Sequence, residues 1–174
     1  MKIQLLICYL FLSVLPKECK STDPNINQQG EDQLKSHEIE YPVDDSSLAY
    51  QDIFYVPIYS DLYMDETNQR ELLSATLSIR NTSFKDSLIV SRIDYYNTEG
   101  SLVRQYLDNP ISLSPMGTIN YVVEKDDDTG GPGANFIVAL GANTNNVKPL
   151  IQAVMINYSG NKALAFCTDG YSVK

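Results

Sequence analysis

Tryptophan is absent from these 174 residues, histidine occurs once, at His37, and cysteine three times, at Cys8, Cys19 and Cys167. His37 falls in the polar stretch ahead of the expected domain, which leaves the domain itself no histidine for a Ser-His-Asp triad or for a zinc set built on histidine and cysteine. Three cysteines are too few for the disulfide framework of a small secreted domain. Without tryptophan the chain lacks the broad aromatic platform that sugar-binding sandwiches display. Basic side chains are scarce as well, with 13 Lys and Arg against 22 Asp and Glu, for a net charge of -9. Nucleic acid and anionic membrane surfaces need a basic face to neutralise phosphates, so no nucleic-acid partner is expected.

The one long apolar run is at the start. Lys2 is followed by a mostly apolar stretch from Ile3 to Leu15, which turns polar at Pro16-Lys17-Glu18. That layout is a signal peptide's, over residues 1–18. At 1.5 Å per residue the run covers roughly 20 Å of a hydrocarbon core about 30 Å thick, which disfavours a permanent span. Two maturation sites compete. In the preferred one Cys19 is the lipidated first residue, with Lys20-Ser21-Thr22-Asp23 opening a tether, although the preceding Leu15-Pro16-Lys17-Glu18 puts a charge where a small residue belongs. In the other, cleavage follows Ser21. Either route predicts export, to the periplasm or outer envelope, with the membrane reached only through a lipid on Cys19.

Residues 19–49 are polar and without period, and cannot bury enough surface to offset the entropy of ordering; they read as a disordered tether. The mature chain then carries Cys167 alone, within Ala163-Leu164-Ala165-Phe166-Cys167-Thr168, where a thiol is expected buried as a small apolar residue. Residues 50–174 form one domain of ordinary size.

Inside that domain the pattern is β. Leu73, Ala75, Leu77 and Ile79 alternate with polar neighbours, so one face meets a core and the other water. Strands are predicted over 53–59, 73–80, 88–96, 101–106, 118–123, 135–140, 151–158 and 163–167. Pro57 marks the first as an edge strand. Asn97-Thr98-Glu99-Gly100 joins the third and fourth as a hairpin, and Asn81-Thr82-Ser83 reads as a turn in preference to a glycosylation sequon. Eight short strands without an amphipathic helix predict an all-β, immunoglobulin-like two-sheet antiparallel sandwich of about 7–8 strands, a Greek-key barrel being the alternative. Ile111-Ser112-Leu113-Ser114-Pro115-Met116-Gly117, running into 118–123, resembles the corner of immunoglobulin-like and fibronectin-like domains.

The segments 54–60 (FYVPIYS), 73–83 (LSATLSIRNTS), 94–118, 122–140 and 153–157 (AVMIN) resemble the bacterial family known as domain of unknown function 3124. The most specific element is Gly130, Gly131, Gly133, Ala134, Asn135 and Phe136. The resemblance implies small exported or lipid-anchored proteins without an assigned activity, and it supplies no catalytic residue.

Candidate chemistry concentrates between 124 and 135. Asp126, Asp127 and Asp128 precede Gly130, Gly131, Gly133 and Asn135, a carboxylate-rich loop that a hard cation such as calcium could use. Consecutive aspartates do not converge as EF-hand ligands do, so a solvated loop without metal is the preferred reading. The glycines could form an anion nest, but no Lys-Ser/Thr follows and three aspartates repel phosphate. Tyr55, Tyr59 and Tyr63 at four-residue spacing could line a contact surface for an envelope protein or glycan, against the default of rim packing. No cofactor and no catalytic residue is expected. The leading expectation is a non-enzymatic exported module that binds or organises a partner at the cell envelope; the alternative is a small carbohydrate-active enzyme using paired carboxylates.

Overall fold

The computed structural model describes residues 37–39, 47–67, 69–159 and 161–174. The signal run, Cys19 and most of the expected tether lie outside them. Among the described residues twelve strands follow one another: β1 Tyr50–Pro57, β2 Asp61–Tyr63, β3 Arg70–Leu72, β4 Ser74–Arg80, β5 Leu88–Tyr96, β6 Leu102–Gln105, β7 Ile111–Leu113, β8 Thr118–Val123, β9 Asn135–Ala142, β10 Leu150–Ser159, β11 Lys162–Asp169 and β12 Tyr171–Ser172. All pairings are antiparallel. One sheet runs β12-β1-β9-β5-β6 with β7 also on β5, a second runs β11-β10-β4-β8, and β2 with β3 forms a separate hairpin. The chain is thus an all-β two-sheet sandwich. The strands missing from the sequence reading, β2, β3, β7 and β12, have two or three residues each, too few to show a period.

Alternation sets what each sheet buries. Ala75, Leu77 and Ile79 of β4, Ile119, Tyr121 and Val123 of β8, and Ile151, Ala153 and Met155 of β10 face Val56, Ile93, Tyr95, Phe136 and Val138 of the other sheet in one core. Strand β5 keeps Leu88 and Val90 buried together with Ile93 and Tyr95, which strict period two forbids. A register shift between Val90 and Arg92 resolves the conflict, because the extra residue of a bulge turns the later side chains back to the core.

Pro57 does not make β1 an edge. The strand lies between β9 and β12, but β12 reaches only Phe54 and Tyr55, and Pro57 at the strand end pairs with Asn135 alone. The missing N–H therefore costs no ladder bond there. Its carbonyl accepts from the Thr168 hydroxyl at 2.6 Å, a tie between the two sheets.

The corner at 114–117 carries the chain from β7 in one sheet to β8 in the other. Met116 adopts a left-handed backbone (φ 61°), and its N–H donates to the Ser83 carbonyl at 3.0 Å. Asn81 anchors the same corner. It is buried, and its side-chain N–H groups donate to the carbonyls of Asp86 (2.8 Å), Leu113 (3.1 Å) and Ser114 (3.0 Å). With its amide spent on three carbonyls, Asn81 is a structural post rather than a glycan acceptor.

Within the expected tether, His37 to Ile39 is not free of the domain. Glu38 forms a bridge to Ile111, and the Ile39 N–H donates to the Pro110 carbonyl at 3.0 Å. Unpaired backbone groups along β7 recruit this short stretch despite its polar composition.

Candidate functional site

The residues singled out between 124 and 135 join β8 to β9, and the loop is woven into its neighbours. The Asp127 N–H donates to the Glu124 carbonyl at 3.0 Å, and Asp127 Oδ1 accepts both the N–H (3.1 Å) and the hydroxyl of Thr129. Asp127 is half-buried while Asp126 and Asp128 are exposed. Lys125 leaves the loop, its Nζ donating to Asn157 Oδ1 and the Tyr158 carbonyl, each at 3.3 Å.

The glycines bind inwards. Thr98, in the β5–β6 turn, donates its N–H (2.9 Å) and its hydroxyl (3.0 Å) to the Gly130 carbonyl and accepts the Gly133 N–H at 2.9 Å. Gly131, at φ 75°, offers its carbonyl to the N–H and hydroxyl of Ser60, both at 3.2 Å. The Ala134 carbonyl accepts the Ile58 N–H at 2.9 Å. Gly130 is buried because Tyr95 lies against it. Three carbonyls and one N–H are spent on the domain, so the run fastens one end of the sandwich instead of presenting an open anion nest. Asn135 opens β9, opposite Pro57 and Tyr96.

Under the loop lies an aromatic cluster. Tyr95 and Phe136 have ring centroids 5.3 Å apart, Tyr106 and Phe136 5.9 Å, and Tyr106 meets Tyr121 edge-on at 4.8 Å. The Tyr95 and Tyr121 hydroxyls are buried and make no hydrogen bond of normal geometry among the described residues. Burial, and then the negative Asp127, pushes the Tyr95 phenol up to about 12. Burial raises Tyr121 further, with Tyr106 adding to it.

Beside the cluster, β2 holds Asp61, fully buried. One carboxylate oxygen, Oδ2, takes a hydrogen bond from Arg70 at 3.2 Å, while Oδ1 has no partner among the described residues. Arg70 also lies over the Tyr63 ring, 5.2 Å from its centroid, and donates to the Tyr63 hydroxyl at 3.2 Å. Burial raises the Asp61 pKa, Arg70 opposes the rise and Asp128 adds to it. Asp61 is thus the carboxylate that this end of the domain holds out of water, and the sequence reading overlooked it. Its signal was weak: Asp61 opens a three-residue strand, in the stretch between the predicted strands 53–59 and 73–80. Among the described residues no group of three His, Cys, Asp or Glu side chains is placed to hold a metal ion.

Each of the three spaced tyrosines has a partner of its own, and Tyr59 also lies close enough to Tyr55 to help raise its pKa, after burial and Tyr171. Tyr55 pairs with Tyr171 (5.5 Å between centroids), Tyr59 with Phe166 (5.7 Å, edge-on) and Tyr63 with Arg70.

A second region stands out on the outward face of the four-stranded sheet. Cys167 is exposed, against the expectation of a buried thiol. Strand β11 is the sheet's edge, and its odd-numbered residues turn away from the core, so the apolar neighbours Ala163 and Ala165 are exposed with it. Register lines up Val122, Thr76, Val154 and Cys167 across all four strands. Val122 is 54% exposed, Val154 42% and Tyr158 71%.

The fold and these two regions define an all-β sandwich that carries an exposed apolar sheet face and a tightly fastened acidic loop. The chain belongs to the family described as "Protein of unknown function (DUF3124)", whose model matches residues 51–173. No curated protein matches it. Among solved structures it is similar to "Crystal Structure of Thermotoga maritima 1070", at 16% identity over 69% of this chain and 92% of that one, with a TM-score of 0.42. It is also similar to "Anabaena sensory rhodopsin transducer", at 16% identity over 63% of this chain and 90% of that one, with a TM-score of 0.29. Neither likeness bears on function.

Proposed function

We propose that this protein is an exported, lipid-anchored, non-enzymatic module that binds a partner at the cell envelope through the outward face of the β11-β10-β4-β8 sheet. The observation that carries the reading is the row of exposed apolar side chains on that face, Val122, Val154 and Tyr158 with Ala163, Ala165 and Cys167 beside them. Scattered apolar residues are ordinary on a surface, whereas Val154 and Tyr158 of β10 and Cys167, Ala165 and Ala163 of β11 are cross-strand neighbours and make a contiguous patch, the kind that marks interaction surfaces, with Val122 set apart from it by the polar Thr76. The anchor rests on the apolar run ending before Cys19, followed by a polar stretch. The acidic balance leaves an envelope protein or a glycan as the partner and disfavours nucleic acid.

The test has two arms in the exporting host. Intact-mass measurement of the mature chain should show an N-terminal Cys19 bearing lipid, in the membrane fraction; an unmodified Thr22 terminus in the soluble fraction overturns the anchor. A photo-crosslinking residue in place of Val154 should give a discrete adduct with an envelope component. No adduct at that position, with the chain folded, overturns the docking face.

A further inference from the structure

We infer that one end of the sandwich, built from the connections 81–87, 114–117 and 143–149, rests on the membrane that carries the anchor, with Phe84 and Met116 entering the lipid interface and basic side chains beside them meeting anionic headgroups. The inference rests on the Cys19 anchor proposed above and adds a second membrane contact to it.

The three connections are fastened into one tip. The Met116 N–H donates to the Ser83 carbonyl at 3.0 Å and the Asn81 N–H to the Gly117 carbonyl at 2.9 Å, while the Thr82 hydroxyl donates to the Lys148 carbonyl. Phe84 is the most exposed large apolar side chain among the described residues, at 82%, and Met116 beside it is 58% exposed. Large apolar side chains left this far in water gain by entering lipid, and such patches mark interaction sites. Leu150, also exposed, opens β10 just behind the tip, opposite Arg80.

Charge points to a lipid surface. Lys85 follows Phe84, Lys148 is tied to Thr82, and Arg80 ends β4 at the same end; all three are exposed, and Asp86 is the one carboxylate in the three connections. Apolar side chains flanked by lysine and arginine suit the interface of an anionic bilayer. The carboxylates of 124–128 lie at the opposite end, because β8 leaves the 114–117 corner and runs into that loop. Its six residues span about 20 Å, more than twice the screening length of about 8 Å, so the acidic end does not cancel the basic one. Tyr63 and Met64 are exposed as well, but they precede Asp65 and Glu66, which repel anionic headgroups.

The chain from Cys19 arrives at the same end. From Ile39 back to His37 it runs along β7 from Pro110 to Ser112, toward the corner, the Ser112 N–H donating to the His37 carbonyl at 2.9 Å. Strand β1 also begins here, Tyr50 pairing with Ala142 just ahead of the 143–149 connection. Between Cys19 and His37 the sequence, even fully extended, reaches at most about 65 Å, which keeps the domain close to the anchored surface. Strands that end at the tip then stand away from the bilayer and leave the Val154 row open to a partner.

The chain has no tryptophan, so Phe84→Trp supplies a single one to read. The mature protein from the exporting host, carrying this substitution in vesicles of phosphatidylethanolamine and phosphatidylglycerol, should show blue-shifted emission that lipids brominated on their acyl chains quench. Met64→Trp, at the acidic end, should show neither. Lys85→Glu with Lys148→Glu, added to Phe84→Trp, should lower the quenched-to-unquenched ratio at least fivefold in these vesicles and far less in phosphatidylcholine, since one cation beside an anionic surface is worth roughly a fivefold change in binding. The melting temperature should not move, because these positions are exposed. Vesicle-bound, lipidated protein whose Phe84→Trp emission stays unquenched overturns the tip and leaves the anchor standing. Quenching that is equal at Phe84→Trp and Met64→Trp, or that the lysine reversals leave unchanged, overturns it too. A mature chain beginning at Thr22 sinks the anchor; it keeps the tip if it still binds these vesicles and is quenched, and sinks both if it does not.

Discussion

The hydroxyl of Tyr95 stands 1.8 Å from the point where a Cβ on Gly130 would lie. The glycine is needed there for the space and not for its backbone angle, since its φ is not in the left-handed region. The contact seats the acidic loop on the aromatic cluster beneath.

Gly130→Ala should therefore be overpacked, with Tyr95 Cζ at 2.7 Å and Ala134 Cβ at 2.8 Å crowding the same methyl. We expect a loss of about 1–3 kcal/mol in urea unfolding. Adding Tyr95→Phe removes the closest atom and should restore part of the loss. Full stability in Gly130→Ala alone would show that the loop is free to lift away.

Asn81→Ala should cost about 2–3 kcal/mol, because it strands carbonyls of Asp86, Leu113 and Ser114 at a buried corner. Equilibrium unfolding checks the figure. Ser83→Ala would abolish a sequon equally well, so a glycan role predicts similar changes from both variants; the structure predicts that Asn81→Ala is the more costly.

Alkali should unfold the domain through its buried phenols. Unfolded tyrosine ionises near pH 10. Tyr95 and Tyr50 are held up to about 12, chiefly by burial, and Tyr106 and Tyr121 are raised as well. Above pH 10 the unfolded chain gives up these protons first, so the native state binds more of them and stability falls as pH rises, by up to about 1.4 kcal/mol per pH unit per group. Their contribution is fully present below pH 10. Tyr95→Phe should be near neutral in stability at pH 7, since its hydroxyl makes no hydrogen bond of normal geometry among the described residues, and should flatten the alkaline slope. Urea titrations at pH 7 and above pH 10 separate the two effects.

Excess calcium should leave the melting temperature where chelator leaves it. Asp127 is spent on Thr129, Asp126 and Asp128 are exposed, and no third carboxylate converges on them among the described residues. An ion at a hundred times its dissociation constant would add about 2.7 kcal/mol, an unmistakable shift. Such a shift, abolished by Asp126→Asn with Asp128→Asn, would overturn the expectation.

Much of the fold was legible before any coordinates. Strands 88–96 and 118–123 coincide with β5 and β8, since runs of alternating or β-branched residues between turn formers carry their own signal. The 114–117 corner was legible from its Ser-Pro-Met-Gly turn. The edge assignment from Pro57 failed because a proline reports only the lack of one N–H, and a neighbour two residues long avoids that position. Cys167 was misplaced because alternation in Ala163-Leu164-Ala165-Phe166-Cys167 is invisible when both faces are apolar, and only its pairing with Val154 tells which way it turns.

By itself, then, the sequence determined the fold class, the approximate placement of the longer strands and the position of the acidic glycine loop. These are local properties, set by period, turn chemistry and composition. Tertiary structure alone decided that Gly130 makes room for Tyr95, that Asp61 is withheld from water beside Arg70, and that Val122, Val154 and Cys167 share one outward row. The first and last of those facts depend on residues tens of positions apart meeting through strand order and register, and the second on a hairpin whose burial against the rest of the domain no single segment encodes.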